Sequence, residues 1–185
     1  DYDEDEDEEV EKIQCLNVNN ELLFEHEAYY VSDVNVSPNG MILLKDEDGM
    51  VYYANKVGEQ VISDKFNDAG IFANGLAYVQ VDGKYGYINE QGEVIIACKF
   101  SFACNFASNG LARVKVDGKW GYINKQGEIV IACEFDNAGD FSNGLADVEY
   151  LEKNGVINTE DKFVIPCKYS ELVLFAEAGL VFVKK

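Results

Sequence analysis

The chain has 185 residues, 48% of them apolar, and carries 34 acidic side chains against 15 Lys and Arg, for a formal net charge of −19. That balance excludes the clustered cationic surface that phosphate-backbone binding requires. No apolar run approaches the roughly 18 to 20 residues of a membrane-spanning helix, and the length suits one sizeable domain.

Taken in chain order, the first feature is charge. Residues 1–12 hold nine Asp or Glu and one Lys, leaving −8 there and −11 for the remainder. A run of this density repels itself and stays solvated. Residues 1–12 are therefore expected to form an acidic disordered tail, with docking to a basic partner as its sharper use. No glycine-turned loop accompanies the acids, so an EF-hand is not expected. The chain opens at Asp1 and not at a methionine, which leaves room for an upstream leader or domain.

From residue 13 onward the chain reads as one β-repeat domain. Ile13 to Asn17 and Glu21 to Phe24, separated by Val18-Asn19-Asn20, look like two strands of a hairpin. A recurrence of about 35 residues then sets in, with opening glycines at Gly40, Gly75, Gly110, Gly144 and Gly179. A fixed period of this length marks stacked copies of one unit that cannot bury its apolar face alone.

Each unit reads as three antiparallel strands. The first alternates with period two, as in Leu76, Tyr78, Gln80 against Ala77, Val79, Val81, the pattern of a half-buried strand. Asp82-Gly83, Asp117-Gly118 or Asp48-Gly49 follows, a hairpin signal because the turn needs positive φ. The second strand, Tyr85 to Asn89 or Trp120 to Asn124, is rich in aromatic and β-branched residues, and an asparagine recurs at its end as Asn55, Asn89, Asn124 and Asn158. Gly86 and Gly121 inside it signal a bulge or a close backbone approach. The third strand, Val94 to Cys98 or Ile129 to Cys133, is nearly continuous apolar and is expected to be innermost, covered on both faces. A loop anchored by Ala69, Ala103, Ala138 and by Phe72, Phe106, Phe141 leads to the next copy.

Cys98, Cys133 and Cys167 share one slot of the unit and are expected to act as small buried hydrophobes. With Cys15 and Cys104 they make an odd count without paired spacing, which favours reduced thiols and a cytoplasmic setting. His26, the one histidine, lies between Glu25 and Glu27 and is expected to be exposed. No zinc spacing, GxSxG motif or phosphate loop is present, so no enzyme activity, cofactor or metal site is expected.

The KYGYIN and KWGYIN cores, with GLA upstream and GEVII or GEIVI downstream, resemble the WG (KWG) repeat of many bacterial proteins. The units opening at Gly75 and Gly110 match closely. The unit opening at Gly144 departs, with Asn154 in the Trp120 slot and Tyr150-Leu151-Glu152 replacing the Asp-Gly turn, and the unit at Gly40 has Val51 and Tyr52 for the Trp-Gly pair. The resemblance implies repeated β structure, often inferred to mediate interactions, and no catalytic residue.

The fold expected is all-β: a tandem repeat of about five three-stranded antiparallel units, as a propeller-like ring or an open β superhelix. A first strand at the C-terminus and a second and third strand at the N-terminus add up to one unit, which favours a ring closed by a blade shared between the termini. The expected function is a protein-protein interaction scaffold or adaptor, with a carbohydrate-binding module as the alternative. Candidate contact residues are Tyr85, Tyr87, Trp120 and Tyr122, which form either core or an exposed aromatic row, together with Arg113, Lys115 and Lys119. A protein partner is expected, basic if it docks on the acidic tail, with no nucleic acid and no membrane insertion.

Overall fold

In the computed structural model, residues 11–28 and 34–185 are described, so most of the expected acidic tail lies outside the described residues. The expected boundary after residue 12 falls inside the first strand, β1 (Glu11–Leu16). β1 pairs with β2 (Leu22–Ala28), and the next sheet is β3 (Asn35–Val36), β4 (Ile42–Lys45) and β5 (Val51–Ala54). Three complete sheets follow with one topology. They are β6 (Asp68–Ala69) to β9 (Val94–Phe100), β10 (Phe102–Ala103) to β13 (Ile129–Phe135), and β14 (Asn137–Ala138) to β17 (Phe163–Tyr169). The chain ends in a two-stranded sheet of β18 (Glu171–Phe175) and β19 (Leu180–Lys184).

Each complete unit is the expected three-stranded meander plus a two-residue rung from the connecting loop. In the second unit the rung β6 pairs with β7 (Leu76–Val81), β7 with β8 (Lys84–Asn89) and β8 with β9, all antiparallel. In the first unit the third strand is reduced to bridges, Ala54 to Gln60 and Val51 to Phe66. Phe66 there takes the place of Phe100 opposite Tyr85 and Phe135 opposite Trp120.

The turn chemistry works as its residues suggest. Asp82-Gly83 and Asp117-Gly118 have φ of 51° and 73°, and 49° and 80°, the positive pair of a type I′ hairpin. Leu151 and Glu152 hold the same geometry in the fourth unit, at 50° and 59°, between paired Tyr150 and Lys153. Side chains with a Cβ pay for left-handed φ. Replacing Leu151-Glu152 by Asn-Gly is expected to raise stability by about 1 to 2 kcal/mol in urea unfolding.

The recurring asparagine closes the second turn. Asn89 Oδ1 accepts the amides of Gln91 and Glu93, and Asn55, Asn124 and Asn158 repeat the pair of bonds. Asn17 makes the same bonds to Asn19 and Glu21. The β1–β2 hairpin is thus a second and third strand of the repeat, as its position suggested.

Units meet through their cores. One cluster joins Tyr53 and Phe66 of the first unit to Phe72, Val79 and Ile88 of the second, and the next joins Tyr87 and Ile96 to Phe106 and Val114 of the third. A third cluster joins Tyr122 and Phe135 to Phe141 and Val148 of the fourth. A repeated bond locks each junction: Tyr53, Tyr87 and Tyr122 donate their hydroxyls to the carbonyls of Gly70, Cys104 and Gly139 at 2.7, 2.8 and 2.7 Å. Their rings lie 4.9, 4.8 and 4.7 Å from Phe72, Phe106 and Phe141. Tyr87→Phe leaves a carbonyl without its donor and is expected to cost about 1 to 2 kcal/mol, measured by denaturant unfolding.

Two expectations are corrected. The third strand is not innermost; it is the outer edge of its sheet, because it pairs only with the second strand. Its buried residues are Ile96 and Phe100, while Val94 and Ile95 are 62% and 46% exposed. The shared closing blade is also absent. β1–β2 and β18–β19 form separate sheets, each set against its own end of the array. Among the described residues the array is open.

Candidate interaction surface

The second and third units carry the candidate aromatics, and burial divides them. Tyr87 and Tyr122 are 0% and 1% exposed and serve the junctions just described, so they form core and not a contact row. Burial holds their phenols protonated far above the ordinary tyrosine range. Tyr85 is also buried and donates its hydroxyl to Asp68 Oδ2 at 3.1 Å. The β-bulge between Tyr85 and Tyr87 is repeated between Trp120 and Tyr122, so the difference lies in the next rung, where Phe102 is 5.0 Å from Tyr85 and Asn137 holds the corresponding place after Trp120.

Trp120, the single tryptophan, is the half-buried exception. The Arg113 guanidinium lies 5.2 Å and the Lys115 ammonium 5.4 Å from its ring centroid. The pairing explains this: Lys115 stands opposite Trp120, and Arg113 stands opposite Tyr122 two residues along. Phe102 meets the indole edge-on at 5.5 Å, and Tyr85 lies 5.0 Å behind Phe102. Tyr78, 5.9 Å from Tyr85, ends the row, and burial raises its phenol to about 12.

The cations here are mostly compensated. Arg113 Nε pairs with Asp140 Oδ1 at 2.8 Å, and Lys119 pairs with Asp136, whose carboxyl that ammonium holds below the usual range. Lys125, the other cation of this unit, donates to the Asn74 carbonyl at 2.8 Å and ties the third unit to the second. A cation over an indole contributes about 0.5 to 1 kcal/mol at an exposed site. Arg113→Ala is therefore expected to lower stability by about 1 kcal/mol and to make the single indole more accessible to acrylamide in fluorescence quenching.

A second feature escaped sequence reasoning. Val61, Ile95, Val130 and Val164 occupy one slot of the third strand in four consecutive units and are 44%, 46%, 45% and 54% exposed. In each strand the next residue turns inward, as Ile62, Ile96 and Ile131 do, and the outward one faces solvent. The result is one exposed apolar side chain at the same place of the third strand in each of four units. Its signal was the apolar third strand itself, which reads the same whether its outward side chains are covered or bare.

The remaining candidates for chemistry are the cysteines and His26. Cys98 and Cys167 are half-buried with Sγ 3.9 Å from the Val79 and Val148 carbonyls, and burial raises both thiols. All five cysteines are unbridged. His26 is not exposed as expected but half-buried, its ring 6.2 Å from Tyr52. Among the described residues no group of three His, Cys, Asp or Glu is arranged to hold a metal.

A profile of the WG containing repeat matches residues 53–85, 85–120, 120–153 and 155–185. The chain belongs to the WG-repeat family. The matched segments run from Tyr53 to Lys185, so they take in the end of the first unit, after its Val51-Tyr52 pair, and the fourth unit, where Asn154 stands in the tryptophan slot and Gly155 keeps the glycine. No curated protein matches the sequence. Among solved structures, the WG array is similar to the extracellular domain of BT4673 from B. thetaiotaomicron, with a TM-score of 0.51 and 13% identity. That match covers 86% of this chain and 27% of the other, so the chain spans about a quarter of that domain. It is also similar to the WD40 beta propeller domain of Doa1, at a TM-score of 0.42 and 9% identity over 77% of this chain and 56% of that one.

Proposed function

We propose that this WG array is a non-catalytic scaffold or adaptor that binds a protein partner along its outer edge. The observation that carries it is the exposed row of Val61, Ile95, Val130 and Val164, one apolar side chain per unit in register over four units. Exposed apolar surface marks interaction sites, and a repeat array presents such side chains at regular intervals. Phe102 and the Trp120 cluster add a rigid aromatic and cationic anchor of the kind that dominates binding hot spots. The partner is a protein with an apolar segment to lay along the row, and the acidic run before β1 favours one that also carries basic charge.

The carbohydrate alternative needs a repeated aromatic platform for sugar rings. Tyr85, Tyr87 and Tyr122 are buried, which leaves Phe102 and Trp120 as an isolated pair and removes the repetition that made sugar stacking attractive.

The test is capture from the native source with two baits, the wild-type chain and a variant carrying Ile95→Lys, Val130→Lys and Val164→Lys. These side chains already face solvent, so the variant is expected to fold. A partner retained by the wild type and lost from the variant is the expected result; partners retained equally by both contradict the assignment.

A further inference from the structure

Four of the five opening glycines follow an asparagine, giving Asn39-Gly40, Asn74-Gly75, Asn109-Gly110 and Asn143-Gly144. We infer that Asn143 is a site of spontaneous deamidation, the one of these four asparagines that the fold leaves free to react with the glycine after it.

The reaction needs only water. The Gly144 nitrogen attacks Cγ of Asn143, the new C–N bond closes a five-membered succinimide, and the side-chain amide leaves as ammonia with the proton that the nitrogen gives up. Water then opens the ring. Breaking the new N–Cγ bond yields aspartate, and breaking the original peptide bond yields isoaspartate, whose backbone runs through the side chain. Either product adds a negative charge at neutral pH. Glycine in the second place favours ring closure because it has no Cβ to crowd the nitrogen.

All four asparagines are exposed, so water reaches each of them and hydrogen bonding divides them. At Asn39 and Asn109 both reacting groups are engaged. Gly40 and Gly110 donate their amides to the Ser37 and Ala107 carbonyls at 2.9 Å, and the asparagine side-chain oxygens accept the Met41 and Leu111 amides at 3.1 Å. Asn74 and Asn143 stand in a different turn. Their φ values of 56° and 46°, followed by 85° and 78° at Gly75 and Gly144, are the positive pair of a type I′ turn, closed by the Ala73–Leu76 and Ser142–Leu145 bridges. In this turn the glycine amide donates to no backbone acceptor among the described residues, so the nucleophile is free in both.

The side chain then separates these two. Asn74 Nδ2 donates to the carbonyls of Phe106 and Ala107 in the next unit at 3.2 and 2.8 Å, and the Asn74 carbonyl accepts Lys125 Nζ at 2.8 Å. That clamp holds the amide away from Gly75. Counted from Ser101 and Ser170, which bond the first strand of their units alike, the counterpart of Phe106-Ala107 is Phe175-Ala176. There the chain enters a 3-10 helix, Ala176–Ala178, in place of the turn from Ala107 to Gly110, and Asn143 makes no bond to it. The Asn143 amide can therefore rotate onto the Gly144 nitrogen. Isoaspartate at this position would put an extra backbone carbon into the turn that leads into β15 (Leu145–Tyr150).

The test is incubation of the whole folded chain at mildly alkaline pH, with peptide masses read over time. Asn143 is expected to show the amide-to-acid mass change first, about tenfold faster than Asn74, the factor that the two hydrogen bonds of the clamp supply, and ahead of Asn39 and Asn109. In urea all four asparagines should react at similar rates, because the reacting pair is the same. Asn143→Gly keeps positive φ at no cost and should remove the early change while leaving the other three sites as they were. Equal rates at Asn143 and Asn74 in the folded chain, Asn39 or Asn109 reacting first, or an Asn143 that stays an amide while the urea sample reacts would each overturn the inference.

Discussion

Gly121→Ala is expected to destabilise the chain by about 3 kcal/mol, although strand propensity alone gives alanine an advantage of about 0.5 to 1 kcal/mol over glycine. The opposite signs make the experiment decisive. A Cβ at Gly121 would lie 2.6 Å from the Ile131 carbonyl oxygen and 2.7 Å from the Cys133 nitrogen. These are backbone atoms of β13, so no side chain can swing aside; the strand pair must part. The φ at this position is not positive, which leaves space as the only reason for glycine. A Cβ at Gly86 or Gly155 would lie 2.4 Å or 2.6 Å from the equivalent carbonyl oxygen of Ile96 or Ile165, so the same result is expected there. Two-state urea unfolding of the three alanine variants measures it. The N-terminal hairpin supplies the converse: β1 and β2 keep regular pairing through Gln14, and a glutamine is accommodated in the glycine slot.

Alkaline pH is expected to unfold the array steeply. Tyr53, Tyr87 and Tyr122 are raised far above the ordinary tyrosine value, burial being the largest cause. Each also donates its proton to a carbonyl of the next unit, and a phenolate cannot. The unfolded chain releases these protons near pH 10 while the folded chain keeps them. Stability is thus fully present below about pH 10 and falls as pH rises toward the folded values, by about 1.4 kcal/mol per pH unit for each tyrosine. Three such groups give a slope of about 4 kcal/mol per unit. Tyr87→Phe should remove about a third of that slope while lowering stability at neutral pH. Unfolding free energies from pH 8 to pH 11 test this; a flat profile above pH 10 would show that the three phenols are not buried together.

Much of the fold was legible because its signals are local. Asp82-Gly83 and Asp117-Gly118 fold into hairpins whatever surrounds them, and the asparagine that binds two amides of its own turn does so even at Asn17, where no glycine follows and Asn20 takes the positive φ. What was illegible depends on neighbours. Two-residue rungs such as Phe102–Ala103 are too short to show alternation. Tyr85, Tyr87, Trp120 and Tyr122 share one pattern of spacing, and only the packing of the next unit, with Phe102 against Tyr85 and Asn137 in the same rung place after Trp120, decides that Trp120 stays half-exposed. Val94-Ile95 and Ile129-Val130 carry no mark of their exposure, since an apolar strand pair looks alike in a core and at an edge. Whether the termini meet is likewise set by how successive units rotate, which no single residue encodes.

The central claim is that, among the described residues, the array is open and its units are stabilised by their immediate neighbours. Deleting residues 179–185 tests it most directly. The account predicts a melting transition close to that of the whole chain, because the three junction clusters span residues 41–167 and lose nothing. Cooperative loss of most of the stability on removing β19 would contradict it, and would mean that the ends meet within one molecule.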